Sequence, residues 1–254
     1  MPAGTNWTHD ETLMAFVLYR SLPPRECDDT GAKVQELAKA LGRTANSVAM
    51  KIWNIAAHDE VRKGKGRTSL KHGSKLDVII WEEYDARGDE LIAEGIDLIE
   101  HTVNEGVLQE PESTEPEVSQ GKERTATTVV RVIQNYFRNT LLDSYRGKCC
   151  LTGLSIEKLL VASHIKPWKA SKDRDEKLNP ANGLLLNALH DKAFDQGLIT
   201  IDYDYRVRVS PQVRRTAEGA DVLYRYQGKQ IELPKYRRPA REFIEYHNDV
   251  VFQH

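Results

Sequence analysis

The chain has 254 residues, 40% of them apolar, with four Trp, ten Tyr, three Cys and a net charge of −2. That length suits one large core or two modest ones, so two compact units are expected and disorder of the whole chain is excluded. The apolar runs, such as 78–81 and 184–186, fall far short of the roughly 20 residues that span a bilayer, and three cysteines with Cys149 beside Cys150 suit neither a disulfide framework nor a structural zinc site, so no membrane partner, no zinc and a cytoplasmic location are expected.

The net charge conceals a segregation. Residues 1–76 hold 12 Lys/Arg against 8 Asp/Glu, residues 77–117 hold one against 14, and residues 118–254 hold 23 against 16. Two basic blocks therefore flank an acidic bridge, and because charges act locally, within about 8–10 Å at ordinary salt, overall acidity does not argue against a polyanionic partner.

In chain order, Thr8 and Glu11 have the spacing of a capping box, and Leu13, Phe16, Val17 and Tyr19 follow on one helix up to Pro23 and Pro24. A second series, Val34, Leu37, Ala38 and Leu41, stops at Gly42, and Thr44 can cap a third helix whose face is Val48, Ile52 and Ile55. Helix, short turn, helix is the order of a helix-turn-helix, which makes Arg43, Asn46, Ser47 and Lys51 candidate DNA contacts. A small helical bundle with merely solvated polar residues fits the same pattern. The stretch 61–75 then supplies Arg62, Lys63, Lys65, Arg67, Lys71 and Lys75 with no acid, a composition suited to phosphates. Ser74 caps a further helix carrying Leu76, Ile79, Ile80 and Tyr84. The runs RTANSVAMKIWNIAAHD from Arg43 and SLKHGSKLDVIIWEEY from Ser69 resemble the N-terminal helical DNA-reading domain of McrA-type modification-dependent restriction endonucleases, over about residues 6–85. That resemblance implies recognition of double-stranded DNA, with a modified base as its narrower form.

Two prolines amid Ser, Thr and Glu make 105–123 an acidic linker, so the expected domains are the helical DNA-recognition domain at 1–104 and a second domain at 124–254. The fold class expected is α+β. After the linker, Val129, Val130, Ile133, Tyr136, Phe137 and Leu141 share a helix face, while Arg124, Arg131 and Arg138 lie seven apart on another, as a phosphate-following stripe or a solvated face.

The chemistry concentrates next. Residues 159–162 suit a strand leading into Ser163, His164 and Ile165. Residues 183–186 suit a second strand entered through Asn182, and 190–196 suit a helix ended by Gly197. On such a ββα unit His164 and His190 can converge on one cleft, although 26 residues separate them. Phosphodiester hydrolysis needs a base for water and a cation for the charge that develops on the phosphate, and two imidazoles can divide those roles. Asn182 can tie backbone groups and hold the His164 loop in register.

The segments SHIKPW at 163–168 and HDKAFD at 190–195 resemble the HNH nuclease family in its restriction-like branch. Carried over position by position, the resemblance implies that His164 is the general base, Asn182 the family's asparagine and His190 the metal-binding histidine, with Lys166 and Lys169 beside the motif as further DNA contacts. It implies a divalent ion, Mg2+ first and Mn2+ or another as alternatives. Many members place Asp or His immediately before the base, where this chain has Ser163, so the metal would rest mainly on His190, water and the DNA phosphate. The resemblance also implies restriction activity. One ββα unit cuts one strand, so cutting both calls for a homodimer or two successive nicks. The rival reading is a non-catalytic DNA-binding regulator whose nuclease unit has lapsed.

Further along, 198–202 and 206–210 alternate as a hairpin, with Trp168 and Phe194 packing beneath the site and Cys149 and Cys150 as packing residues. Residues 224–233 read as a strand pair, followed by a basic connector with Lys235, Arg237, Arg238 and Arg241 and a last helix through Phe243, Ile244 and Tyr246.

Overall fold

The computed structural model describes residues 6–59, 74–108, 118–213 and 222–254, and within 104–108 and 118–128 the backbone alone. The class is α+β, with two compact units, Met1–Tyr136 and Phe137–His254.

The first unit is helical. Helix α1 (His9–Ser21) starts at a closed capping box: the Thr8 hydroxyl accepts from the Glu11 amide at 3.2 Å, and the Glu11 carboxylate accepts from the Thr8 amide at 2.8 Å. Helix α2 (Ala32–Leu41) ends on Gly42 at φ 62°, the left-handed conformation that lets a glycine collect a helix's last carbonyls. Thr44 caps α3 (Ala45–Ala56), accepting from the Ser47 amide at 3.2 Å. Helix α4 (Lys75–Arg87) starts where Asp77 reaches back to accept from the Ser74 amide at 2.7 Å. Helix α5 (Asp89–Leu108) buries Leu91, Ile92, Ile96, Ile99 and Val103, so its acids between Asp89 and Glu100 lie off an apolar face. These residues join Leu13, Phe16 and Val17 of α1, Leu37 of α2 and Ile52 and Ile55 of α3 in the core.

Helical backbone enters both ends of the 105–123 stretch, since α5 runs to Leu108 and α6 spans Val118–Ser144. The division between the units falls within α6, after Tyr136.

In the second unit, strand β1 (Leu160–His164) pairs antiparallel with β2 (Gly183–Asn187), His164 opposite Gly183 and Ser163 opposite Leu184. Between them lies a short helix, α7 (Arg174–Leu178), and helix α8 (Ala188–Asp195) follows β2 directly. A second antiparallel pair, β3 (Ile199–Ile201) and β4 (Val207–Val209), matches the expected hairpin. The core gathers Phe137 and Leu141 of α6, Cys149, Cys150, Leu184, Leu186 and Phe194, so both cysteines pack as expected. The strand pair read at 224–233 is not found among the described residues. A 3-10 turn at Tyr224–Tyr226 and a single bridge between Arg206 and Gln230 stand there instead, because Gly228 at φ 75° turns the chain before a ladder can extend. The chain closes with α9 (Arg241–Tyr246) and a π-helical turn, His247–Val251. No helix among the described residues is long and apolar enough to cross a membrane.

Candidate active site

Side chains alternate across a strand, so Ser163 and His164 face opposite sides of the β1–β2 pair. The His164 side is also that of Gly183, and a Cβ there would lie 2.6 Å from a Leu141 methyl carbon and 2.7 Å from Phe137 Cζ. Only glycine lets α6 come this close. His164 accordingly lies flat on Phe137 and meets Trp168 edge-on at 5.6 Å.

Helix α7 fixes how the His164 ring is used. The last carbonyls of a helix have no partner within it, and here two of them are taken by the site. His164 Nε2 lies 3.0 Å from the Lys177 carbonyl, and Asn182 Nδ2 donates to the Glu176 carbonyl at 3.1 Å. A carbonyl only accepts, so Nε2 holds the imidazole proton and Nδ1 keeps its lone pair. Burial pushes the His164 pKa below its ordinary value, opposed by the Lys177 carbonyl, so the ring is the neutral, accepting form.

Asn182 is fully buried and uses its whole amide. Its Oδ1 accepts from the Lys166 amide at 2.8 Å and its Nδ2 also donates to the Lys166 carbonyl at 3.3 Å, while its own carbonyl accepts from the Ile165 amide at 2.9 Å. The turn carrying Asn182 and the segment just after His164 are therefore clamped together. Lys166 itself is buried and bound to both Glu176 oxygens, at 2.8 and 2.6 Å, which holds the Glu176 carboxyl below its ordinary pKa.

His190 is held by partners of its own. His190 is 4% exposed and lies edge-on to Tyr226 at 5.0 Å. Its Nε2 lies 3.0 Å from the Val222 carbonyl and its Nδ1 lies 3.1 Å from Asn187 Oδ1. The Asn187 oxygen also caps α8, accepting from the Leu189 and His190 amides at 3.1 and 3.0 Å. Both of those oxygens only accept, so the neutral ring can donate to one of them alone, and no hydrogen bond or ring contact joins His190 to His164 among the described residues. Burial lowers the His190 pKa, again opposed by a carbonyl, that of Val222.

What the α8 side of the sheet presents instead is Asp191. The Ser163 hydroxyl is buried, closes no hydrogen bond of ordinary length, and lies toward the Asp191 carboxylate, whose pKa it holds down. Burial is the larger influence and pushes Asp191 above its ordinary value, with Asp195 one turn further along adding to it. Burial also raises Asp195, against the pull of Lys192. A buried hydroxyl facing one carboxylate, with a second carboxylate four residues further along the same helix, is a set of hard oxygen donors. Mg2+ commonly takes one or two carboxylates and fills its shell with water and substrate phosphate, so these residues fit such an ion. No group of three or more His, Cys, Asp or Glu forms a metal cage among the described residues.

Several cations expected at DNA are occupied elsewhere. Arg43 donates to both Glu11 oxygens at 2.9 and 2.8 Å and lies 4.3 Å from the Trp7 ring centre. Lys51 is 4% exposed and paired with fully buried Asp77 at 2.8 Å, a core pair and not a DNA contact. Arg138 donates to the Leu160 and Glu157 carbonyls at 2.7 and 3.2 Å, bracing the start of β1, and Lys166 is held by Glu176. In each case a nearby acid or an end-of-element carbonyl outcompetes solvent. Asn46, Lys75, Arg131 and Lys169 are exposed, and Arg62, Lys63, Lys65, Arg67 and Lys71 lie outside the described residues. Three contributors went unread in the sequence: α7, Asn187 and Asp191. For α7 the signal was present, since Asp173 precedes the helix and accepts from the amide of Glu176 three residues on, at 2.9 Å.

No curated protein matches the chain. Residues 149–202, which hold β1, α7, β2, α8 and β3, match the HNH endonuclease family, and that match supports a nuclease in this part of the chain.

Proposed function

We propose that the protein is a metal-dependent DNA endonuclease whose base is Nδ1 of His164. The observation that carries this reading is the Nε2 bond to the Lys177 carbonyl, which leaves a neutral imidazole with its lone pair on Nδ1 inside the stretch similar to HNH endonucleases. Nδ1 takes a proton from the attacking water, Phe137 and the Lys177 carbonyl hold the ring still, and Asn182 keeps the His164 segment in place. Ser163 and Asp191, with Asp195 alongside, would hold the divalent ion on the other side of β1 from the His164 ring, so the phosphate would have to lie across the end of that strand to reach both, and His190 would brace the start of α8. Once bound, the ion would neutralise charge on the phosphate and the leaving oxygen.

The narrower form of the reading is a restriction enzyme whose first unit selects double-stranded DNA, including modified DNA. It rests on the resemblance of residues 6–85 and 163–195, and in that form a homodimer or two nicks would cut both strands. The test is a supercoiled plasmid with Mg2+ or Mn2+, unmodified, cytosine-methylated or hydroxymethylated. Nicking that disappears in His164→Ala supports the enzyme. Binding without nicking across all metals and substrates supports the lapsed regulator.

A further inference from the structure

The sequence 233–241, LPKYRRPAR, contains four cations and no acid. Its backbone is fastened at both ends: the Lys235 amide donates to the Ser144 carbonyl at 2.8 Å, and the Ala240 amide donates to the Ala181 carbonyl at 2.9 Å. Tyr205 adds a hydroxyl bond to the Pro239 carbonyl at 3.3 Å, and Pro234 and Pro239 are buried. Between these fastenings Lys235, Tyr236, Arg237 and Arg238 all face outward, Tyr236 at 56% exposure, and Arg241 follows, also exposed. The strap is held with Arg237 at φ 48°, a left-handed conformation that side chains rarely adopt.

The contrast with other cations of the chain is informative. Arg43, Lys51 and Lys166 are each neutralised by a carboxylate. Lys235, Arg238 and Arg241 form no ion pair among the described residues, and Glu232, the nearest acid before the strap in sequence, lies 3.7 Å from Arg146. Glu242, on the other side, is exposed. Two of the cations are instead laid on tyrosine rings, Lys235 at 4.6 Å from the Tyr236 centre and Arg241 at 4.3 Å from that of half-exposed Tyr203. Such stacking orients a cation without neutralising it. Like charges held side by side repel unless a polyanion meets them, and an anchored strap loses little freedom when one does.

From this we infer that the strap 235–241 is a docking surface for the phosphate backbone of duplex DNA, with Lys235, Arg238 and Arg241 as the phosphate contacts. Its C-terminal fastening is at Ala181, the neighbour of the Asn182 that clamps the His164 segment, so a backbone held on the strap lies at the turn clamped to that segment. The choice of DNA over another polyanion rests on the nuclease reading above.

The experiment uses the full chain in EDTA and a labelled duplex, with dissociation constants measured from 50 to 300 mM salt. Replacing Lys235, Arg238 and Arg241 together by Ala should weaken binding at least about tenfold at 150 mM salt and flatten the plot of log Kd against log salt by about 3, roughly one for each lost phosphate contact. The charge-keeping pair Arg238→Lys and Arg241→Lys should bind like the unaltered chain, and the triple variant should melt at the same temperature. A triple variant with unchanged affinity and slope overturns the strap and leaves the nuclease reading standing. An unaltered chain that binds no duplex overturns both.

Discussion

The imidazole of His164 lies on the ring of Phe137 with centroids 3.8 Å apart and planes within 9°. Phe137 is 1% exposed, so the face that supports the His164 ring is itself fixed by the core. Phe137→Leu keeps most of the volume but loses the flat face, and its cost in stability should stay near 1 kcal/mol. Plasmid nicking should fall well beyond that, while Mn2+ binding, measured by calorimetry, stays as it was. A variant that nicks normally shows that the stack does not position the base.

Asn182→Ala strands the buried Lys166 amide and removes the donor to the Lys166 and Glu176 carbonyls. Leaving such groups unpaired costs about 2–4 kcal/mol, readable by urea unfolding. Asn182→Asp keeps the acceptor for the Lys166 amide and loses both donors, so its loss should be smaller in stability and still large in nicking rate.

Metal binding separates the two candidate ligands. Asp191→Asn should abolish the calorimetric signal for Mn2+, because the carboxylate facing Ser163 is gone. His190→Asn should retain it, since both nitrogens of that ring face protein oxygens, those of Asn187 and Val222. The reverse outcome would return the metal to His190.

In the first unit, the Lys51–Asp77 pair is closed to solvent on both sides, with side chains 4% and 0% exposed. Asp77→Ala strands a buried ammonium and should cost about 3–5 kcal/mol in urea unfolding. The double change Lys51→Met with Asp77→Leu should cost much less, and neither should alter DNA affinity at temperatures where the unit is folded.

Acid should loosen the second unit through His247. This ring is 1% exposed, stacks on Phe194 at 3.7 Å, and has its pKa lowered by burial from 6.5 to about 4. A lowered pKa means the unfolded chain takes up the proton first, so the stabilisation is complete above pH 6.5 and is lost as pH falls toward 4. It amounts to about 3 kcal/mol. Unfolding measured between pH 7.5 and 4.5 should show this slope, reduced in His247→Gln.

Local signals were readable in the sequence because they act within a few residues. Thr8 with Glu11, Thr44 with Ser47, Gly42, and the order of β1, β2 and α8 all depend on neighbours in the chain. The destination of each cation was not readable. Arg43 finds Glu11 32 positions away and Lys51 finds Asp77 26 positions away, and only the packed helices bring those partners close. The same holds at the site. His190 looked available because its neighbours in sequence do not reveal the Val222 carbonyl, and Asp191 passed unnoticed because its meaning depends on Ser163, across the sheet. Periodicity did contain the apolar face of α5, but counting charge alone made 77–117 read as an acidic bridge.

The partner that sets the proton on His164 belongs to the main chain, at Lys177, and every amino acid carries that same oxygen. Evolution can therefore rewrite position 177 freely without detuning the imidazole, provided the short turn of helix keeps its path. What natural variation can spoil is the route of the polypeptide, through Asp173, Glu176 and Asn182, and those three positions are where inherited loss of cutting should accumulate.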